Sequence, residues 1–382
     1  MSMDDRWIAR SEALSRLGVK AQTLYAYVSR GRIAARPDPA DPRRSLYAAT
    51  DIARLTSGDA GDAVQTPSFG AASRGVADIQ SSVSLIAGGR LFYRGLDAVQ
   101  LSDHATLEET ARRLWNAGSD NPFAELKPRI DPITGGPTHR RILAVLGRRA
   151  IEDRSVRTLE RDELTVTAAS LLNEVVDAVA GPGPRLYLHQ RLARGWKVAE
   201  REAPLLRRAL VLVAEEGLDP AVLATRAAAS GGASLAGAAL AGLTTLAGSP
   251  VMDMLDEATA FIVDARRGAE AAAGRWRATR TTASALFPGG DPRAAALMDA
   301  AELTPELQAA WAAGAAAAGP DAAFVLALAL VARRLDLGPS GAGDLMMTGR
   351  LTGLLAQAVD QAADGSPIRV RLRYVGPEPG AN

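Results

Sequence analysis

Residues Leu286 to Leu297 read LFPGGDPRAAAL. Pro288, Gly289, Gly290 and Pro292 make a stiff turn, and Arg293 opens an alanine-rich helical run. A Pro-Gly-Gly turn feeding a helix start fixes one arginine at the mouth of that helix. Such an arginine suits a small anion, because guanidinium pairs with carboxylate in a bidentate fork. A plain loop-to-helix junction with a surface arginine has the same local sequence, so other stretches must decide. Met347 to Gln361 reads MTGRLTGLLAQAVDQ and is followed by IRVRLRYVG at Ile368–Gly376. Near the front stand SSVSLIAGGRLFYRGLDAVQL and then HATLEETARRLWNAG.

In this order, the YRG stretch (Gly89–Asp97), the DPR, the G-R-x-x-G helix and the R-x-R-x-R-Y-x-G tail resemble the citrate synthase family. The likeness runs from about Gly75 to Gly376. It implies a mainly α fold, with a large helical domain over 76–247 and 326–382 and a small one over 248–325. It also implies a dimer, expected to form through the small-residue helix Gly231–Leu246, whose alanines and glycines let helices approach closely.

The composition agrees. The chain has 382 residues, enough for two or three domains and a sizeable core. A net charge of +1 argues for no global polyanion partner, and the absence of cysteine excludes a disulfide framework or thiolate metal site. Alanine, leucine and arginine dominate and aromatics are few, which favours helices. MSMDDRW lacks the apolar core of a signal peptide, and VLALALVA is too short to span a bilayer. A soluble cytoplasmic protein without membrane association is therefore expected. Strands are expected around a Gly88-Gly89 turn, and helices almost throughout from Thr106.

The first 57 residues read separately. SEALSRLGV is expected to be a helix capped by Ser11 and ended by Gly18, and AQTLYAYVSRGRI a second helix with Leu24 inward. PDPADPRRSLYAATDIARL then suggests a proline-rich loop, a short strand and a third helix. The order resembles a winged helix-turn-helix of the MerR and excisionase type, joined to the rest by a Gly/Ser-rich linker over 58–75. That resemblance implies DNA as a partner, with Arg30, Arg32, Arg43 and Arg44 on phosphate and Gln22, Thr23 and Tyr25 near bases. The same module can equally serve as a protein-interaction surface.

Citrate synthases join acetyl-CoA to oxaloacetate, which takes a carboxylate base, histidines to stabilise the enol and polarise the ketone, and arginines to hold carboxylates. Aligned on the family's D-H-x-x-N-A-S-x-x-x-x-R segment, EEGLDPAVLATR keeps Arg226 but places Glu216 at the histidine and Asp219 at the asparagine. Glu216 cannot donate a hydrogen bond when ionised and would repel a dianion. The G-P-x-H-G-G-A loop expected after the small-residue helix is replaced by AGSPVMDMLDEA, without histidine and several residues shorter. Ser284 stands at the histidine before DPR, Val325 at the catalytic aspartate with Asp321 a helical turn away, and Gln357 at a further histidine. His104, His139 and His189 fall in no family motif and are expected to be surface or structural. No pair has metal-ligand spacing, so neither metal nor cofactor is expected. Arg293, Arg350 and Arg369 match the family positions that hold oxaloacetate, the last reaching across the dimer. They could also survive merely as salt-bridge partners of Asp or Glu.

The resemblance therefore implies no catalytic residue at these positions, and a pseudoenzyme with a DNA-binding-type head. It would respond to a di- or tricarboxylate, or act as the silent subunit beside an active relative, in a homodimer or heterodimer. An active citrate or 2-methylcitrate synthase with an unfamiliar catalytic set, or a purely structural subunit, are the alternatives.

Overall fold

The computed structural model describes residues 7–19, 21–29, 33, 35–38, 41–49, 52, 79–126, 135–181, 186–217, 219–279, 286–287, 289–364 and 367–368. The chain divides into two compact units, Met1–Gln65 and Thr66–Asn382.

In the first unit, β1 (Trp7–Ala9) runs into α1 (Arg10–Leu17), followed by α2 (Ala21–Ser29), β2 (Ala35–Asp38) and β3 (Asp41–Ala48). The strands form an antiparallel sheet in the order β1-β3-β2, with Ile8 opposite Tyr47 and Arg36 opposite Leu46. Ile8, Ala13, Leu24, Ile33, Tyr47 and Ile52 make its core. Gly18 ends α1 in the left-handed region, φ 65°, a conformation that glycine adopts without steric cost. The expected Ser11 cap is not used: the chain passes from β1 straight into α1, and Ala9 precedes the helix without a side-chain cap. The segment read as a proline-rich loop is instead a hairpin, with Pro37 in an edge strand and Pro42 beside the turn, where a missing N–H is tolerated. Most of the expected third helix lies outside the described residues.

The second unit is mainly helical. A small antiparallel sheet, β4 (Ser84–Ala87), β5 (Arg90–Tyr93) and β6 (Leu96–Asp97), turns at Gly88 and Gly89, where φ is 54° and 69°. The glycines do what the sequence predicts: both central turn positions need positive φ. Then follow α3 (Ala98–His104), α4 (Leu107–Leu114), α5 (Thr138–Glu152), α6 (Arg161–Ala180), α7 (Leu188–Gly195), α8 (Ala203–Leu212), α9 (Pro220–Gly231), α10 (Leu235–Ala247), α11 (Pro250–Ala265), α12 (Ala269–Thr279), α13 (Pro292–Ala300), α14 (Pro305–Arg334) and α15 (Gly341–Asp364). The segment expected as a small domain, 248–325, contains α11, α12, α13 and α14 as far as Val325, and α14 breaks its helical geometry at Gly319. Only Gly248 and Ser249 separate α10 from α11.

The long helix α15 is buried along most of its length and packs against α4, α5, α6, α8, α9, α10, α11 and α14. Gly349 and Gly353 let it approach the end of α8. A Cβ on Gly349 would lie 2.2 Å from Val213 Cγ2, and one on Gly353 only 2.1 Å from the Ala214 carbonyl oxygen. Among the described residues no single helix is long and apolar enough to cross a membrane; α10 and α11 pass that test only together, bent by 51°.

Candidate active site

The site is built on the turn between α8 and α9. An α-helix leaves its last carbonyls without intrahelical partners. Here the buried Tyr93 hydroxyl stands against them, 3.1 Å from Val211 O, 3.3 Å from Leu212 O and 3.0 Å from Glu215 O, and accepts from the Glu215 N–H at 3.2 Å. Burial pushes the Tyr93 pKa well above the ordinary tyrosine value, so the phenol stays protonated and can donate. At the far end Asp219 caps α9, accepting from the Val222 N–H at 2.7 Å, with Pro220 at the first helical position. Between these anchors Gly217 takes φ 88°, and the adjacent Glu215 and Glu216 reach different arginines.

Glu215 is fully buried. It accepts from Arg350 Nη1 at 3.2 Å, Gln357 Nε2 at 3.1 Å, the Ser84 hydroxyl at 3.0 Å and the Gly217 N–H at 3.0 Å. Burial nevertheless raises its pKa, against the pull of Arg350. Arg350 Nη2 also donates to Asp219 at 2.8 Å.

Glu216 takes the other direction. Its Oε1 accepts from Arg293 Nη2 at 2.9 Å. Arg293 is 1% exposed and already held by Asp291, through Nε at 3.0 Å to both carboxylate oxygens and Nη2 at 2.6 Å. Its Nη1 donates to Leu212 O at 3.2 Å, and its guanidinium lies 3.9 Å from the Phe324 ring centroid. Asp291 does double duty, because its Oδ1 also accepts the Arg293 N–H and caps α13. Burial opposes charge on Arg293 and on Glu216 alike. The carboxylates outweigh it for Arg293, whose pKa is raised, and Arg293 and Arg350 outweigh it for Glu216, whose pKa is lowered.

A third arginine extends the network. Arg226 donates to Gln357 Oε1 at 2.8 Å, Asp360 at 3.1 Å and the Gln80 carbonyl at 2.8 Å. Asp360 also accepts from Ser82 and from Arg94, the arginine of the YRG stretch. Gln357 thus joins the Arg350 and Arg226 branches through its two amide ends. Four guanidiniums (Arg94, Arg226, Arg293, Arg350) meet five carboxylates (Glu215, Glu216, Asp219, Asp291, Asp360), so the ionised cluster is not electropositive.

Of the residues singled out by sequence, Arg293 and Arg350 face one turn and both are ion-paired to the chain's own acids. Glu216 pairs with Arg293, Gln357 bridges, and Val325 is buried apolar core on α14. Arg30, Arg32, Ser284 and Arg369 lie outside the described residues, as do the side chains of Gln22, Arg43 and Asp321. No imidazole joins this network among the described residues. His104 is exposed, and His189 is buried on α7 with its Nδ1 lacking a partner rather than satisfied, stacked on Tyr187. Among the described residues no group of acids and histidines could hold a metal ion.

Sequence reasoning missed Glu215 as the buried hub and Asp291 and Asp360 as counter-ions. One signal was available: Arg350, Gln357 and Asp360 recur at helical spacing on one face of a largely buried helix.

The fold has solved counterparts. Citrate synthase from Thermotoga maritima is 18% identical, with a TM-score of 0.61 over 80% of this chain and 95% of that one. Citrate synthase from Thermoplasma acidophilum, in a ternary complex with carboxymethyl coenzyme A and oxaloacetate, is 17% identical, with a TM-score of 0.62 over the same shares. No curated protein matches the chain. The family model for the citrate synthase C-terminal domain matches residues 148–371, from α5 to beyond α15. That span is more than half of the sequence, and the chain belongs to the citrate synthase family.

Proposed function

We propose that this chain is a non-catalytic member of its family, a pseudoenzyme that senses a small carboxylate or serves as the silent subunit beside an active citrate synthase. The observation that carries the reading is the Glu216–Arg293 pair at 2.9 Å. An arginine that would hold a substrate carboxylate is held by a carboxylate of the chain, at the position where the family has a histidine. Condensation needs a base at the acetyl methyl and a proton donor at the ketone. Glu216 carries the wrong charge for the donor, Val325 has no proton to exchange, and the two-residue link between α10 and α11 has no room for the family's histidine loop. Incubating the purified chain with acetyl-CoA and oxaloacetate tests this. The reading expects no free thiol above the protein-free background, and oxaloacetate-dependent release overturns it in favour of an active synthase.

The first unit gives the regulatory form of the reading its output. Two short helices joined through Gly18 and backed by a three-stranded sheet are compatible with a DNA-binding winged helix-turn-helix. Tyr25 is 49% exposed on α2, Thr23 is partly exposed, and Arg44 on β3 projects into solvent with Asp41 at 3.3 Å. Arg44→Ala is expected to weaken binding to all duplexes and to reduce the salt slope by about one. Intact protein with no salt-dependent DNA affinity would make this unit a protein-interaction module.

A further inference from the structure

The two counter-ions of Arg293 are unequal. Asp291 is bidentate, caps α13 with the same oxygen, and its side chain is 6% exposed. It is built into the helix start. The Glu216 side chain is 13% exposed, and its hydrogen bond to Arg293 is the one polar tie it makes among the described residues. Its neighbours on the turn are fixed: Glu215 accepts four hydrogen bonds and Asp219 caps α9. Next to Glu216 stands Gly217 at φ 88°, where a Cβ would meet only the Ile86 side chain, at 3.5 Å. Glu216 is therefore the least tied acid on this turn, over an arginine that keeps Asp291 as a second partner.

We propose that Glu216 is a built-in competitor for a ligand carboxylate at Arg293, so that a small dicarboxylate binds only by displacing it. The proposal rests on the carboxylate-sensing form of the reading above. Exchange of one carboxylate for another keeps the guanidinium paired throughout, whereas a site emptied of both would strand a buried charge. The apparent affinity of wild-type protein is the intrinsic affinity reduced by the fraction of molecules with Glu216 displaced. Displacement removes one of the two ties between Arg293 and this region, leaving the hydrogen bond to Leu212 O at the end of α8, a local change that a regulator can transmit.

The test is calorimetric titration of oxaloacetate into full-length wild-type protein, Glu216→Gln and Glu216→Ala. Both variants keep the Asp291–Arg293 pair, and circular dichroism with thermal melting confirms that they are folded. The expected result is binding at least about tenfold tighter in both variants than in wild type. Equal or weaker affinity in the variants, or no binding by any of the three, overturns the proposal. Thiol release from acetyl-CoA by wild type would instead remove the non-catalytic reading, while leaving the order of affinities to be judged separately.

Discussion

Glu216 Oε1 lies 2.9 Å from Arg293 Nη2, and the Arg293 guanidinium rests at the same time on Asp291 and on the face of Phe324. The arginine that the sequence marks as an anion clamp is thus part of the packed interior. A ligand-holding arginine in an open cleft can usually be removed at little structural cost. This one cannot, because its loss leaves two largely buried acids without their cation. Arg293→Met is expected to destabilise the second unit by about 3–5 kcal/mol, measured by urea unfolding. Unchanged stability would mean that Asp291 and Glu216 do not depend on it. Loss of ligand binding in an Arg293 variant is consequently uninformative without a stability measurement.

The close approach of α15 to the α8–α9 turn sets the reach of Arg350 to Glu215. An added methyl at Gly353 would fall 2.1 Å from the Ala214 carbonyl oxygen and 2.3 Å from Glu215 Oε2. Backbone cannot yield as a side-chain tip can, so Gly353→Ala should cost about 2–3 kcal/mol. Gly147→Ala on α5 meets nothing within 4 Å and serves as the control, expected neutral or slightly stabilising. Equal melting temperatures for Gly353→Ala and wild type would show that the helix can retreat without loss.

His189 gives the second unit a pH dependence of its own. Burial, with the Arg207 charge beside it, pushes its pKa down to about 4, from the ordinary 6.5. The folded protein keeps this ring neutral while the unfolded chain protonates it, so the unfolded state binds more protons between about pH 6.5 and pH 4. Stability is therefore full above the unfolded value and falls as the pH drops through that window. After allowance for partial solvation, the loss is on the order of 2 kcal/mol. His189→Gln should flatten the stability profile over this range, followed by chemical denaturation at intervals of half a pH unit. A variant with the same slope as wild type would assign the acid sensitivity to other groups.

Much of the architecture was legible. The Gly88-Gly89 turn needed positive φ and the alternation around it gave two strands; Gly18 had to end a helix; and the helical period from Thr106 onward carried through to Asp364. The prolines of PDPADPR misled, because a proline on an edge strand or beside a hairpin turn looks locally like a loop. The site was half legible. The sequence marked Arg293, Arg350, Glu216 and Gln357, and these four meet around the α8–α9 turn. The Glu216–Arg293 pairing was not visible, since two adjacent acids find arginines on two different helices, α13 and α15, only once those helices pack beside the turn. Asp291 looked like part of a turn motif, yet it is the principal counter-ion of the arginine two residues later.

A chain without a base at the acetyl methyl cannot catalyse exchange of the methyl protons. Acetyl-CoA held in deuterated buffer with the full chain and saturating oxaloacetate can be followed by NMR at the methyl signal. Deuterium incorporation and citrate formation are expected to run no faster than in protein-free buffer. Methyl exchange or citrate formation that rises in proportion to protein concentration, and that requires oxaloacetate, would contradict the non-catalytic reading.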